Sequence, residues 1–189
     1  MKLAISGAHS QGKSTLIKHL EEHHSLGVLK DYTFATSMTR KLQEQGVVIN
    51  ENASGLTQIK VMTGFYERLL NGGENFLHDR CALDGMAYTS VLRYQCKITE
   101  KLFDACAMLF EEMIPSYTHI FYVKPELKLE DDGVRTVQKE FFEQTVKAFE
   151  FLIDYYKINV TTLSGTLEER SNQVINYVNT YNQTNGFSR

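Results

Sequence analysis

The chain is 189 residues long and 42% hydrophobic, with 20 Lys and Arg against 23 Asp and Glu for a formal net charge of −3. This length and apolar share suffice for one sizeable core and argue for a single domain over residues 1–189. The slightly acidic balance, with no Lys/Arg-rich block, argues against a protein that grips many phosphates of a long nucleic acid, although a local basic groove stays compatible with it. No apolar run approaches a membrane span, the first residues read as a strand rather than a cleavable leader, and the three cysteines show no C-x-x-C spacing. The expectation is a soluble, cytoplasmic protein with buried, reduced thiols and no membrane partner.

Lys2 to Ser6 (KLAIS) is a short apolar run that predicts a first strand. It leads into AISGAHSQGKST, which fits G-x-x-x-x-G-K-[ST] with Gly7, Gly12, Lys13 and Ser14 on the fixed positions. His9, Ser10 and Gln11 fill the variable places and Thr15 follows. Glycine permits the backbone turns that gather N–H groups into an anion nest, and a following helix offers its unsatisfied N-terminal donors to a phosphate. A helix over Ser14 to His24, with Leu16, Ile17 and Leu20 on one face, supplies that context. Residues Gly7 to Thr15 are therefore expected to bind ATP, with Lys13 reaching the outer phosphates and the Ser14 hydroxyl taking a place on Mg²⁺.

Further along, Val28 to Asp31 (VLKD) reads as a second strand, Thr36 to Gln45 as a helix stopped by Gly46, and Gly55 to Leu70 as a longer helix halted by Asn71-Gly72-Gly73. Asn75 to Asp79 predicts a third strand, and Asp84 to Gln95 and Thr99 to Met113 predict helices, the second ended by Pro115. Thr118 to Val123 is a fourth strand, Val137 to Tyr155 a long amphipathic helix, Ile158 to Leu163 a fifth strand and Leu167 to Tyr181 a closing helix before a polar, loose tail. Strands alternating with helices imply a parallel sheet covered on both faces, with ligands beyond the carboxyl ends of its strands. There Asp79 would hold the Mg²⁺ water shell and Arg80 would point into the same crevice; the alternative is a surface ion pair of Asp79 or Asp84 with a nearby basic residue.

The segment DRCALDGMAY resembles the D/E-R segment of deoxynucleoside and thymidylate kinases. With the glycine-rich loop, DDGVR at residues 131–135 and TLSGTLEER at residues 162–170, in that order, the chain more closely resembles the small P-loop ATP-binding (AAA-type) family that includes ribosylnicotinamide kinase domains. The resemblance implies a P-loop NTPase fold, a three-layer α/β/α arrangement around a five-stranded parallel sheet of order 2-3-1-4-5. It further implies a substrate-side helical region at about 36–74 and a kinase-type lid at about 125–140, from which Arg135 would stabilise the shifting charge. On the acceptor side it makes Asp31 the candidate general base ending the second strand, though Asp31 suits a turn or helix cap equally well. Arg40 is then available for an anionic acceptor and Gln58 for a base edge, with Arg68 a further candidate and Phe34, Phe65 and Tyr66 as stacking groups or core. Ser164 to Thr166 would pass the adenine, although Thr166 and Glu169 also form a capping box by spacing alone.

These readings converge on transfer of the γ-phosphoryl of Mg-ATP to a small nucleoside or (deoxy)nucleoside monophosphate. Lys13, Asp31, Asp79, Arg80 and Arg135 carry the chemistry, and Asp31, Arg40, Gln58 and Arg80 hold the acceptor. If the acceptor is already a phosphate monoester, no strong base is required, and Arg40 and Arg80 become its clamp. A ribosylnicotinamide kinase, a polynucleotide 5′-hydroxyl kinase and an ATPase or nucleotide switch coupled to a protein partner are the competing readings.

Overall fold

A computed structural model describes residues 1–35, 38–125 and 136–186. Five strands form one sheet: β1 (Lys2–Ser6), β2 (Thr33–Ala35), β3 (Phe76–Asp79), β4 (His119–Val123) and β5 (Val160–Leu163). Their order is β2-β3-β1-β4-β5, as the family resemblance implies, and every neighbouring pair is parallel. The helices are α1 (Lys13–His24), α2 (Met38–Glu44), α3 (Gly55–Asn71), α4 (Ala82–Tyr94), α5 (Glu100–Met113), α6 (Thr136–Tyr155) and α7 (Leu167–Gly186).

The two-residue period of the strands divides the core into two layers. Leu3 and Ile5 of β1, Leu77 of β3 and Phe121 and Val123 of β4 point into one layer with Leu16, Ile17 and Leu20 of α1 and Val174 and Val178 of α7. Ala4, Phe76, Ile120 and Tyr122 face the other, larger layer, which α3, α4, α5 and α6 complete through Phe65, Met86, Phe110 and Phe149. Helices on both faces are what parallel strands joined by helical crossovers require.

Three expectations need correction. The apolar run at Val28 to Asp31 is not a strand: Lys30 N–H donates to the Gly27 carbonyl at 3.1 Å and Tyr32 N–H to Leu29 at 3.1 Å, so the segment turns on itself. Pairing starts only where Thr33 N–H donates to the Asn75 carbonyl at 3.1 Å. Leu29 is nevertheless fully buried, which explains why its neighbourhood reads as strand-like. The closing helix continues past Tyr181 to Gly186, since the intervening polar residues contain no helix breaker before that glycine. Finally, Cys81 and Cys106 are buried thiols, whereas Cys96 is exposed.

Candidate active site

β1 delivers the glycine-rich loop to the carboxyl edge of the sheet. Gly7 has φ 141° and a Cβ there would lie 2.8 Å from the Val123 carbonyl oxygen, so the close passage of β4 demands glycine. Ser10 (φ 60°) and Gly12 (φ 76°) also adopt left-handed backbone, the change of hand that a concave row of N–H groups needs. A Cβ on Gly12 would meet nothing within 4 Å, because the residue fronts an open cleft of about 470 Å³ lined by His9 to Thr15. Lys13 is buried, and its ammonium donates to the Ala8 carbonyl. Burial, with Arg80 as a like-charge neighbour, pushes its pKa down to about 7 against the opposing pull of Asp84 and Asp79. An incoming anion would relieve that desolvation.

Behind Lys13, Ser14 Oγ donates to Asp79 Oδ2 at 2.5 Å. Asp79 is 1% exposed, and its Oδ1 has no hydrogen-bond partner among the described residues. A hydroxyl beside a buried carboxylate with an unused oxygen is a hard-oxygen donor set, and it fits Mg²⁺. Arg68 is not on the acceptor side in any direct way: its two terminal nitrogens donate to the backbone carbonyls of Asp79 at 3.3 Å and Ala35 at 3.1 Å, fastening the ends of β3 and β2.

Arg80 follows Asp79 in a left-handed conformation (φ 70°), while its N–H still donates to Ile5 at 3.0 Å and extends the β1 ladder. The turn directs the guanidinium to Asp84 Oδ1 at 3.2 Å and over the Tyr88 ring, 5.6 Å from its centre. Asp84 is a buried hub, not a surface ion pair. It accepts from Ser6 Oγ at 2.7 Å, Gly7 N–H at 3.3 Å and Cys81 N–H at 3.0 Å besides Arg80. Burial raises its pKa, opposed chiefly by Arg80 and Lys13. Tyr88 adds a second tie, its hydroxyl accepting from His9 N–H at 3.0 Å. The sequence reading missed both roles. The available signals were spacings: Asp84 stands three residues after the Cys81 cap, where a capping carboxylate belongs, and Tyr88 one helical turn later.

The phosphate-side cleft continues, through Thr39, Ile49, Asn50 and Arg80, into a narrow pocket floored by Gln58, Phe65, Asp84 and Tyr88. With a volume of about 30 Å³ it admits roughly one water. Gln58 is buried, and its Oε1 accepts from Thr89 Oγ1 at 3.1 Å. Arg40, on exposed α2, lines the cleft and Gln58 the adjoining narrow pocket, and Arg80 lines both. Phe65 is buried in the pocket wall, Phe34 packs in the opposite core layer and Tyr66 is exposed.

Asp31 is the clear correction. It is exposed and precedes β2 instead of ending it, which places it at the amino edge of the parallel sheet, opposite the loop. Arg135 and most of the expected lid lie outside the described residues. In the 162–170 segment, Thr166 N–H donates to Glu169 Oε2 at 2.7 Å and Glu169 N–H to Thr166 Oγ1 at 3.3 Å, the reciprocal capping box. Arg170 reaches the loop itself, donating to the Gln11 carbonyl at 3.1 Å.

A family model described as an AAA domain matches residues 2–170. Among solved structures, the NadR protein in complex with NR superposes with a TM-score of 0.68 at 18% identity, covering 97% of this chain, which spans about half (51%) of the NadR chain. A deoxyadenosine kinase from M. mycoides gives 0.67 at 15% identity over 96% of this chain and 100% of its own. Thymidylate kinase from Ehrlichia chaffeensis gives 0.63 at 14% identity over 94% and 98%. At these identities the likeness is one of fold, that of P-loop kinases. No curated protein matches the chain in sequence.

Proposed function

The chain belongs to the AAA domain family, and on that premise we propose that it is an ATP-dependent phosphotransferase acting on a small nucleoside or (deoxy)nucleoside monophosphate. The observation that carries this reading is Arg80, which lines both the glycine-rich cleft and the narrow pocket. A kinase needs one cation facing donor and acceptor at once, and a nucleotide switch has no use for the second pocket.

In this reading, Lys13 leaves the Ala8 carbonyl for the β and γ oxygens of ATP, alongside N–H groups of Ser10 to Thr15, those of Gly7 and His9 being engaged by Asp84 and Tyr88. Ser14 and Asp79 would hold Mg²⁺ or its water, and the ion when bound would neutralise phosphate charge. Arg80, kept in place by Asp84 and Tyr88, offsets negative charge between the substrates, and Arg40 meets the acceptor from the cleft wall. Gln58 offers its amide to the acceptor's base.

With Asp31 at the far edge of the sheet, the pocket's carboxylate is Asp84, already engaged by four donors. Among the described residues an acceptor hydroxyl finds no ready base there, whereas a phosphate monoester brings its own nucleophilic oxygen. The monophosphate is therefore the favoured acceptor. ADP formation from Mg-ATP across nucleoside monophosphates, nucleosides, nicotinamide riboside and 5′-hydroxyl oligonucleotides, with Lys13→Ala as control, tests this. Monophosphate-dependent turnover lost in the variant is the expected result. Turnover confined to nucleosides would overturn the acceptor assignment, and ADP release indifferent to every acceptor would overturn the kinase.

A further inference from the structure

Helix α1 begins at the phosphate loop and ends in a cluster of imidazoles, His19, His23 and His24, that the phosphotransfer reading does not use. His19 and His23 are four residues apart and so share one face of the helix. Their ring centres stand 4.5 Å apart. A metal–nitrogen bond of about 2.0–2.1 Å plus roughly 1.15 Å from nitrogen to ring centre puts each ring about 3.2 Å from a shared ion. Two such rings bound at a right angle would be roughly 4.5 Å apart, the observed separation. His24, with its ring centre 6.3 Å from that of His19, does not fit beside His23 in the same cis arrangement.

We propose that His19 and His23 form a two-imidazole chelate for a divalent transition ion of Cu²⁺ or Ni²⁺ type, with water completing its coordination. Cis nitrogen ligands suit the tetragonal or octahedral preference of these ions, and neutral imidazole selects them over Mg²⁺ and Ca²⁺, which require oxygen. His23 stands at the exposed end of the pair and His19 is half-buried, so an ion can approach from solvent while the inner ring is held by its surroundings. The nearby Lys18 and Glu22 are paired with each other at 3.6 Å. At ~1.5 Å of rise per residue His23 lies about 13 Å along the helix from Ser14, so this site and the Mg²⁺ donors Ser14 and Asp79 act independently. A bound ion would bridge one turn of the phosphate-loop helix at its C-terminal end.

The test uses untagged full-length protein in a Mg²⁺-containing buffer of low metal affinity. Calorimetric titration with Ni²⁺ should give one ion per chain, and the electron paramagnetic resonance spectrum of the Cu²⁺ complex should show coupling to two nitrogens. His19→Ala and His23→Ala should each weaken Ni²⁺ binding at least as much as loss of an outer-shell partner does, about 10–100-fold, whereas His24→Ala should leave it unchanged. Absence of saturable binding, a single coupled nitrogen, or a His24→Ala variant that alone abolishes binding would overturn the proposal. The spectrum is read on the parent chain, so a variant that fails to fold does not decide the matter.

Discussion

The two sides of the site are built in opposite ways. On the phosphate side, β1, the end of β3 and the start of α4 are largely buried and the loop is tied to them: Asp84 alone takes four donors, and Tyr88, Asp79 and Arg170 each hold another point of the loop or its helix. On the acceptor side, β2 is three residues long, α2 is seven, and most of α2 is exposed. Rigid anchoring suits the common chemistry of a triphosphate, for which the charges must be in place beforehand. A thin acceptor wall suits a pocket that has to widen beyond one water to admit its ligand.

If that contrast is right, damage to the phosphate side should be severe and damage to the acceptor edge slight. The largest effect should come from Asp84→Ala, which strands the buried Arg80 charge; breaking such a pair costs about 3–5 kcal/mol, measurable as lost stability in a denaturant melt. Lys13→Ala should leave the fold intact and lower kcat by about 10²–10³-fold, as removal of one preorganised electrostatic donor does, read as acceptor-dependent ADP formation. Asp79→Asn should raise the Mg²⁺ concentration for half-maximal activity by about 10–100-fold, checked by metal titration at saturating ATP.

A smaller effect concerns pH. Burial lowers the pKa of His119 to about 4, while in the unfolded chain an imidazole titrates near its ordinary value of 6.5. Between those values the unfolded state binds more protons, so stability should fall as the pH drops from about 6.5 to 4. His119→Phe should make that slope shallower in melts across the window, the buried His9 and His78 keeping the rest of it. The smallest effect should be that of Asp31→Asn, with kcat and KM unchanged; a large loss there would break the contrast by restoring a catalytic role to the far edge of the sheet.

How much of this could be read beforehand follows the same division. Gly7, Gly12, Lys13 and Ser14 lie in one continuous stretch whose spacing carries its own geometry, and Asp79 announces itself by ending a strand. The alternation of elements implies a parallel sheet, and its order is what the family resemblance adds. Arg68, Asp84 and Tyr88 were opaque because their partners lie far away in sequence, on Ala35, Gly7 and His9, and only packing brings them together. Asp31 misled for a different reason: Val28 and Leu29 are apolar, and a four-residue run cannot distinguish a buried turn from a strand.

The Asp84 and Tyr88 ties have a consequence in time as well as in space. They join Gly7 and His9 to partners 77 and 79 residues away, so the phosphate nest is a non-local product that acquires its shape only after β3 and α4 have docked on β1. Loop amides ordinarily exchange with solvent by local fraying, but those of Gly7 and His9 should exchange only when the molecule opens as a whole. A loop that reads as the most local feature of the chain would then be among the last to let go of its protons.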